Sequence, residues 1–530
     1  MSHPSISESS STGEAAAEGA VYGRRSVLLP TAEQSAAIDA RAREEAGVPE
    51  RVLMENAGRS AALVLERRFP RGRVVVVAGS GNNGGDALVL ARTLRAWGRP
   101  AVVVAASERT PSASLAHDFD IEVGPWQTAA AAVASADVVV DGILGTGATG
   151  APRAPASDII AAIRAAGRPV FALDLPSGVD ATTGRIEGEA IDAAVTVTFG
   201  APKLGLMLHP ARGRCGRLIA VEIGFPPATD ADADAALITP EWAAAKLPRR
   251  PANAHKGTSG RLLVLAGGPG MAGAAAITAD AARRAGAGLV RLVSPESNRT
   301  ILQTAVPEAT FLDRDLMASD DLDGMTAAVA GPGLGTEEAA RRALSVVLAA
   351  GADMPVALDA DALNVLARDA EMLKRAASRR PMVITPHPRE MGRLLSCTTE
   401  EVVGDAIGAA REACTRFGCV VLLKGQPSVV ASPGEPVLVN TAGSSDVAAG
   451  GMGDQLAGVI GAFLAAGLLP RDAAAAALYF SARAADLAAM GRSLGPRDVS
   501  AHLSRAFASP GADAPLDGLP FITFDQPPRW

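Results

Sequence analysis

The sequence predicts an α/β protein made of two consecutive domains. Its 530 residues are too many for one ordinary hydrophobic core. In both halves, short β-branched apolar runs alternate with alanine- and leucine-rich helical segments, a pattern typical of parallel sheets covered by helices on both faces. A stretch rich in Pro, Asp and Ala, residues 226–236, lies between the two series and is typical of a linker.

The first series predicts a Rossmann-like domain over residues 26–227, preceded by a disordered tail over residues 1–25 that is rich in Ser, Ala, Gly and Glu. A helix is expected from Thr31 to Ala46, with the Thr31 hydroxyl as its cap, and a second helix runs toward Arg68. The strands predicted after them are Val74–Ala78, Ala101–Ala105, Val138–Asp141, Val170–Leu173, Ala194–Phe199 and Leu218–Glu222.

The second series predicts another α/β domain over residues 237–510, with a linker at 228–236 and a Pro- and Gly-rich tail at 511–530. This domain closes with alanine-rich helices that begin near Gly453. Its predicted strands are Arg261–Ala266, Leu289–Val293, Ala327–Ala330, Val356–Asp359, Met382–Thr385, Val420–Lys424 and Ser428–Ala431.

Composition excludes several classes of function. The net charge is −7, and the absence of basic runs and aromatic stacking platforms argues against a nucleic-acid partner. The longest apolar stretches are too short for a membrane span, and the N-terminal residues lack the features of a signal peptide. Four cysteines without a CxxC pair fit reduced thiols. We therefore expect a cytoplasmic protein that associates with no membrane.

Three aspartate-bearing loops follow predicted strand ends in the first half: Asn82–Asp86, Asp141–Gly147 and Asp174–Gly178. In an open α/β sheet, ligands bind beyond the carboxyl ends of the strands, so these loops can converge on one pocket. Clustered glycines before a helix suit an anion such as pyrophosphate, and an acid in such a loop indicates chemistry or a bound cation.

The side chains that these loops offer to a cation are Asn83, Asp141 and Ser177. All three supply only oxygen. One carboxylate among neutral oxygens suits a hard cation of low charge.

The second half contains an aspartate directly behind a glycine turn. Asp454 follows Gly450–Gly453 at the start of a helical stretch, which is the arrangement of the ribokinase fold. There the helix N–H groups stabilise a transferring phosphoryl group while the aspartate accepts a hydroxyl proton. Lys424 and Gly425, after an apolar strand, are expected to contact nucleotide phosphate.

The first half resembles the NAD(P)H-hydrate epimerase family in four motifs: Met54–Gly58, Gly81–Asp86, Asp141 with Gly145–Gly147, and Asp174–Asp180. The resemblance implies a potassium ion on Asn83, Asp141 and Ser177, and makes Asp174 the acid/base that contacts the hydrated nicotinamide. The substrate-binding residues that it implies are Asn82, Asn83, Gly84, Gly85, Asp86, Gly145, Thr146, Gly147, Ala148, Thr149, Gly150, Ala151 and Asp174.

The second half resembles the ADP/ATP-dependent NAD(P)H-hydrate dehydratase family, which has a ribokinase-like fold. The motifs are His255–Gly260, Gly331–Gly335, Asp359–Asn364, Thr385–Glu390, Lys424–Gly425 and Gly450–Asp454. The resemblance implies that Asp454 is the catalytic base and also contacts the hydrated dinucleotide, together with Ala274, Gly335 and His387. The nucleotide-binding residues that it implies are Lys424, Gly425, Gln426, Pro427, Ser428 and Gly453. Gln455 and the run Ser444–Ala449 depart from the family pattern.

Together the two resemblances predict one bifunctional enzyme of nicotinamide nucleotide repair. Its substrates would be hydrated NADH and NADPH, with ADP or ATP and Mg²⁺ as co-substrate. ADP, which would give AMP and phosphate, is favoured because the composition is of a bacterial kind. A homo-oligomer is expected. The alternative is a vitamin or sugar kinase whose N-terminal half is a non-catalytic interaction domain.

Overall fold

The computed structural model describes residues 27–528 except 108–120, 228, 251, 254–258, 352, 512–518 and 520. The predicted tail at 1–25 and the predicted motif residues His255 and Lys256 therefore lie outside the described residues. Two sheets, one in each half of the chain, organise the fold.

The first sheet carries strands β2 to β8 in parallel, in the spatial order β4-β3-β2-β5-β6-β7-β8. The order reverses between β2 and β5, which creates a crevice at their carboxyl ends. The elements of this half are β1 (Val27–Leu28), α1 (Ala32–Glu44), α2 (Glu50–Arg68), β2 (Val74–Ala78), α3 (Asn82–Ala96), β3 (Val102–Ala105), β4 (Val123–Gly124), α4 (Ala129–Ala134), β5 (Val138–Gly142), α5 (Ala156–Ala166), β6 (Val170–Leu173), β7 (Val195–Phe199) and β8 (Arg217–Val221).

Among the described residues, the strands of the second half form an 11-stranded sheet together with β1. The elements of this half are β9 (Ala235–Leu237), α6 (Pro240–Lys246), β10 (Arg261–Leu265), α7 (Ala272–Arg284), β11 (Leu289–Ser294), α8 (Arg299–Ala305), β12 (Thr310–Asp313), β13 (Ala327–Ala330), α9 (Glu338–Ala349), β14 (Val356–Leu358), α10 (Ala360–Leu366), α11 (Ala370–Ala377), β15 (Met382–Ile384), α12 (Pro388–Leu395), α13 (Thr399–Gly404), α14 (Ala406–Phe417), β16 (Val420–Leu423), β17 (Ser428–Ala431), β18 (Val437–Asn440), α15 (Met452–Ala465), α16 (Pro470–Ala488) and α17 (Pro496–Ala508). Strand β19 (Ile522–Gln526) follows these elements in the sequence.

In the second sheet, the strands β12-β11-β10-β13-β14-β15-β16 lie next to one another in this order and run parallel. Strand β17 pairs antiparallel with β16 and with β18. Strand β9 pairs parallel with β18, and β1 pairs antiparallel with β9 at the edge. A second order reversal lies between β10 and β13. The predicted α/β fold class is thus confirmed in both halves, and the second half has the parallel core and antiparallel edge of a ribokinase-like sheet.

Local chemistry accounts for the elements that the sequence predicted well. Every residue of Val74–Ala78 is buried, as an apolar strand covered on both faces requires. Helix α1 begins where predicted because Thr31 forms a capping box with Gln34. Within the described part of the chain, no helix is both long enough and apolar enough to cross a membrane.

The two halves exchange their terminal strands, which the sequence did not predict. Strand β19 pairs antiparallel with β8 of the first sheet, although residues 511–530 were predicted to be a tail. Strand β1 pairs with β9 at the edge of the second sheet, and β9 itself occupies the end of the predicted linker. The predictions of a tail and a linker were wrong for these segments. Each of these pairings joins residues that are far apart in sequence, which a local pattern does not show.

A polar clamp and an apolar interface hold this arrangement. Arg217 donates from Nε and Nη2 to the buried Asp525 carboxylate at 2.6 and 2.7 Å. One apolar cluster runs from Leu206 and Phe524 in the first sheet's layer to Leu263 and Leu358 in the second. The domains therefore share part of their core.

Two candidate active sites

The first candidate site is a cavity of about 810 Å³ at the carboxyl ends of β2 and β5. Among the predicted substrate residues, its walls include Asn82, Asn83, Asp86, Gly145, Thr146, Gly147, Ala148, Thr149 and Asp174. Gly84, Gly85, Gly150 and Ala151 are not among the lining residues. Gly84 has a different role: a Cβ there would lie 1.8 Å from the Gly79 carbonyl oxygen, so the turn into α3 needs glycine.

Asp174 lies at the centre of this cavity in a strained backbone conformation, with φ of 64°. Its Oδ1 accepts a hydrogen bond from Lys203 Nζ at 2.5 Å, and its Oδ2 accepts from the Thr146 amide at 3.1 Å and from the Thr146 hydroxyl. Burial alone would raise the pKa of Asp174, but Lys203 and the Thr146 donors outweigh it and hold the pKa below its usual value. Asp174 is therefore a carboxylate at neutral pH.

Asp86 on α3 is the second acid of the cavity and has the opposite tendency. Burial, and then the nearby charge of Asp174, raise the pKa of Asp86 well above its usual value. The surroundings therefore favour the ionised form of Asp174 and the protonated form of Asp86. Two acids whose pKa values are pushed apart can serve as base and acid in one reaction.

Lys203 is a functional candidate that the sequence analysis missed. It is 4% exposed, and besides Asp174 its ammonium contacts Thr198 Oγ1 and the Phe199 carbonyl, both at 3.0 Å. A lysine a few residues beyond the carboxyl end of β7 is a signal that could have been noticed, since parallel strand ends carry the site residues.

The predicted cation ligands converge beneath the cavity. Ser177 donates from its amide and hydroxyl to Asp141 at 2.8 and 2.7 Å, and its Oγ accepts from the Leu144 amide at 2.9 Å. The Asn83 amide group donates to the carbonyls of Leu144 and Leu173. Its Oδ1 is buried and has no hydrogen-bond partner among the described residues. A buried oxygen without a partner, in loops that also hold Asp141 and Ser177, fits a hard cation of low charge.

Burial also raises the pKa of Asp141 to about 6, although three donated hydrogen bonds oppose the shift. No basic side chain in the described ranges forms an ion pair with it. A bound cation would supply the positive charge that this buried carboxylate lacks.

The second candidate site is at the start of α15. Gly451 precedes the helix in the left-handed conformation, and Asp454 lies in the first turn. Burial, and then the charge of Asp359, raise the pKa of Asp454 to about 6, while Lys424 opposes the shift. A carboxylate with this pKa is mostly ionised at neutral pH and can still accept a proton, as a general base must.

Asp359 begins one of the predicted motifs, but no role in the site was predicted for it from the sequence. It is 2% exposed, and its Oδ1 accepts from Lys424 Nζ at 2.7 Å and from Thr385 Oγ1 at 2.8 Å. Burial favours the neutral amine of Lys424, but Asp359 outweighs this and the lysine pKa is raised. A Cβ on Gly453 would lie 3.3 Å from Lys424 Nζ. The lysine, its acid partner and the helix start thus form one cluster.

The predicted nucleotide residues lie together in a second cavity of about 520 Å³. Lys424, Gly425, Gln426, Pro427, Ser428 and Gly453 all line it. The part of this cavity that Lys424 and Gly453 line is therefore next to the Lys424–Asp359 pair and the N-terminus of α15, where backbone N–H groups favour an anion.

The residues predicted to contact the dinucleotide lie at the carboxyl edge of the same sheet. Ala274 lies in the first turn of α7. A Cβ added at Gly333 would be 2.9 Å from the Ala274 side chain, so Ala274 packs against the loop that contains Gly335. The Gly335 amide donates to Asp361 at 2.9 Å. His387 caps α12 through Nδ1, and burial lowers its pKa. His387 is a neutral imidazole at pH 7 and is not part of the nucleotide cavity.

Comparisons with known proteins agree with this two-site architecture. Residues 262–506 match the NAD(P)H-hydrate dehydratase family, and residues 50–205 match the YjeF-related protein N-terminus family. The bifunctional NAD(P)H-hydrate repair enzyme Nnr of Moorella thermoacetica is 36% identical over 497 residues, which cover 88% of this chain and 93% of that protein. The Escherichia coli enzyme of the same name is 38% identical, with 82% and 85% covered.

A solved structure is also similar to the second half. The ADP/ATP-dependent NAD(P)H-hydrate dehydratase of Bacillus subtilis, co-crystallised with ATP and Mg²⁺, is 31% identical, covers 51% of this chain and 97% of its own, and has a TM-score of 0.46.

The full-length relatives share both halves and are named as repair enzymes, so a kinase with a non-catalytic first domain is not favoured. The chain belongs to the family of bifunctional NAD(P)H-hydrate repair enzymes.

Proposed function

We propose that the first domain interconverts the R and S epimers of hydrated NADH and NADPH, with Asp174 as the base. Inverting the hydroxyl-bearing C6 carbon requires that its C–O bond be broken and remade or that the ring open, and either route needs a positioned proton shuttle. The ionised Asp174 can accept a proton, and Asp86, whose surroundings favour its protonated form, can donate one. Lys203 keeps Asp174 ionised. The cavity-lining residues Gly145–Thr149, with Asn82, Asn83 and Asp86, bind the rest of the dinucleotide.

The second domain uses Asp454 to remove the proton from the C6 hydroxyl of the S epimer as that hydroxyl attacks the terminal phosphate of ADP or ATP. Phosphate is a far better leaving group than hydroxide, so its elimination restores the dihydronicotinamide. Ala274, Gly335 and His387 contact the hydrated dinucleotide. The observation that carries this assignment is the position of Asp454, ionisable near pH 6 at a helix N-terminus beside Lys424.

The metal assignments follow from the donor atoms. Potassium suits Asn83, Asp141 and Ser177 because all three offer oxygen and the Asn83 oxygen lacks a partner. Its contribution is to order the loops around Asp174. Mg²⁺ would enter with the nucleotide and neutralise phosphate charge. ADP as the preferred nucleotide, a homo-oligomeric state and a cytoplasmic location remain predictions from the sequence.

Product analysis tests the assignment of the second domain. Purified protein is incubated with the S hydrate, Mg²⁺ and ADP, and the restored dihydronicotinamide absorbance is compared with the phosphate and AMP released. We expect one phosphate and one AMP for each NAD(P)H formed. A stable phosphorylated product without restored absorbance would instead identify a kinase.

A further inference from the structure

The walls of the nucleotide cavity come from both halves of the chain. Met207, His209 and Arg212 of the first domain line it opposite Lys424–Ser428, and so does Gln526 of strand β19. Strand β19 belongs to the first sheet, where Gln526 is in register with Leu218. The last strand therefore extends from one domain into the nucleotide cavity of the other.

Three residues that line this cavity each have a buried polar atom without a hydrogen-bond partner among the described residues. These atoms are Gln526 Oε1, Gln455 Nε2 and Ser481 Oγ. Gln526 is 4% exposed and Gln455 is 2% exposed. A buried polar group without a partner is costly, and native proteins seldom leave such groups unsatisfied. Their convergence on one cavity indicates that a ligand supplies the missing partners, with donors and acceptors of its own.

The surrounding contacts hold Gln526 in place. Its neighbour Asp525 is clamped by Arg217, as described above. Arg212 donates from Nη2 to the Pro527 carbonyl and from Nη1 to the Gly216 carbonyl, each at 3.0 Å. The Gln526 amide nitrogen is 3.5 Å from the Thr441 carbonyl, at the outer limit of a hydrogen bond. The backbone is thus held on both sides of Gln526, and the side-chain oxygen has no hydrogen-bond partner among the described residues.

We propose that Gln526 contacts the adenine base of the nucleotide and contributes to base selectivity, with Gln455 and Ser481 as neighbouring partners. This inference rests on the proposed use of ADP or ATP. A carboxamide matches adenine because adenine presents an amino donor beside a ring-nitrogen acceptor, the pair that Asn and Gln contact in nucleic acids. Guanine presents a carbonyl oxygen at the corresponding position. The dehydratase site is therefore completed by a strand of the epimerase sheet.

Calorimetric titration of the full-length protein with Mg-ADP and Mg-GDP tests this proposal. Replacing Gln526 by Leu keeps the approximate size and removes the polar atoms. We expect the Kd for ADP to rise about tenfold, as loss of one buried hydrogen bond predicts, and the preference for ADP over GDP to fall by a similar factor. The matched control is Thr523→Val, on the same strand but outside the cavity, which should bind ADP as the wild type does.

The outcomes separate this inference from the proposed function. Wild-type protein that binds neither ADP nor ATP would overturn both. Wild type that binds ADP, with Gln526→Leu binding it equally well and with equal selectivity, would overturn the inference alone. If Gln526→Leu unfolds early in a thermal melt, Gln526→Asn replaces it. That shorter carboxamide should weaken ADP binding several-fold, and unchanged binding would refute the contact.

Discussion

The pH dependence of dehydration should report the ionisation of Asp454. With a pKa of about 6, this carboxyl is about 90% ionised at pH 7 and about 10% ionised at pH 5, by simple titration. A base works only in its ionised form, so kcat/KM for the S hydrate should fall about tenfold between these pH values. The assay is the initial rate of dihydronicotinamide recovery at fixed Mg-ADP.

A substitution at Asp359 provides a sharper form of this test. The Asp359 charge contributes to the raised pKa of Asp454, and it also pairs with Lys424 at 2.7 Å. Asp359→Asn removes the like charge and leaves the lysine charge uncompensated. Both effects favour ionised Asp454, so the midpoint of the acid limb should move below 6, whatever happens to the maximal rate. Asp472→Asn, which alters an acid paired with Lys246, is a remote control and should leave the midpoint unchanged.

Two results would refute this reasoning. An acid limb that keeps its midpoint in Asp359→Asn would show that another group titrates. A rate independent of pH between 5 and 7 would exclude a base with the environment that Asp454 has in this fold.

Further predictions concern both sites and the strand exchange. Asp454→Asn should reduce dehydration by about 10²–10⁴-fold or more, because the general base is lost. It should also raise the thermal midpoint at pH 7, because the raised pKa of Asp454 means that ionisation of this carboxyl destabilises the folded protein by at most about 3 kcal/mol. A lower midpoint would contradict this argument. Lys203→Met should move the acid limb of epimerisation to higher pH, since only the Thr146 donors would then oppose the effect of burial on the pKa of Asp174. An unmoved limb would exclude this role for Lys203. Exchanging potassium for a bulky organic cation should lower the melting temperature of wild type but not of Ser177→Ala; equal responses would argue against the site. Asp525→Asn should lower the free energy of unfolding in denaturant by about 2–3 kcal/mol, since two charge-assisted hydrogen bonds from Arg217 are weakened. An unchanged unfolding curve would show that the contact between Arg217 and Asp525 contributes little.

The sequence predicted correctly those features of the fold and of the sites that depend on a local pattern, namely an apolar strand followed by a polar loop. Apolar runs such as Val74–Ala78 specify buried parallel strands, and the polar loops that follow them must meet at the sheet edge. Asn83, Asp141 and Ser177 are therefore brought together in the structure, as are Lys424 and Asp454. These residues meet because each follows the end of a strand, and the succession of strands and loops along the chain can be read from a single sequence.

The features that the sequence did not reveal depend on distant partners. Strand β19 forms because Asp525 meets Arg217, and Lys203 acquires a role because Asp174 lies 2.5 Å away. Asp359 was visible in its motif, but its effect on Asp454 follows only from their proximity in the fold. Gln526 was assigned to a tail for the same reason. Apart from the position of Lys203 shortly after the end of β7, these contacts leave no periodic or spaced pattern in the chain.

The most direct test of the whole account is to supply a mixture of R and S hydrates with Mg-ADP and follow recovery of the dihydronicotinamide to its end. Wild type should convert the mixture completely without a plateau. Asp174→Ala should convert the S fraction at the wild-type rate and then slow to the rate of spontaneous epimerisation. A wild-type reaction that halts at the S fraction would contradict an epimerase in the first domain. If Asp174→Ala dehydrates pure S hydrate as poorly as it epimerises, the assignment of two separate sites would be wrong.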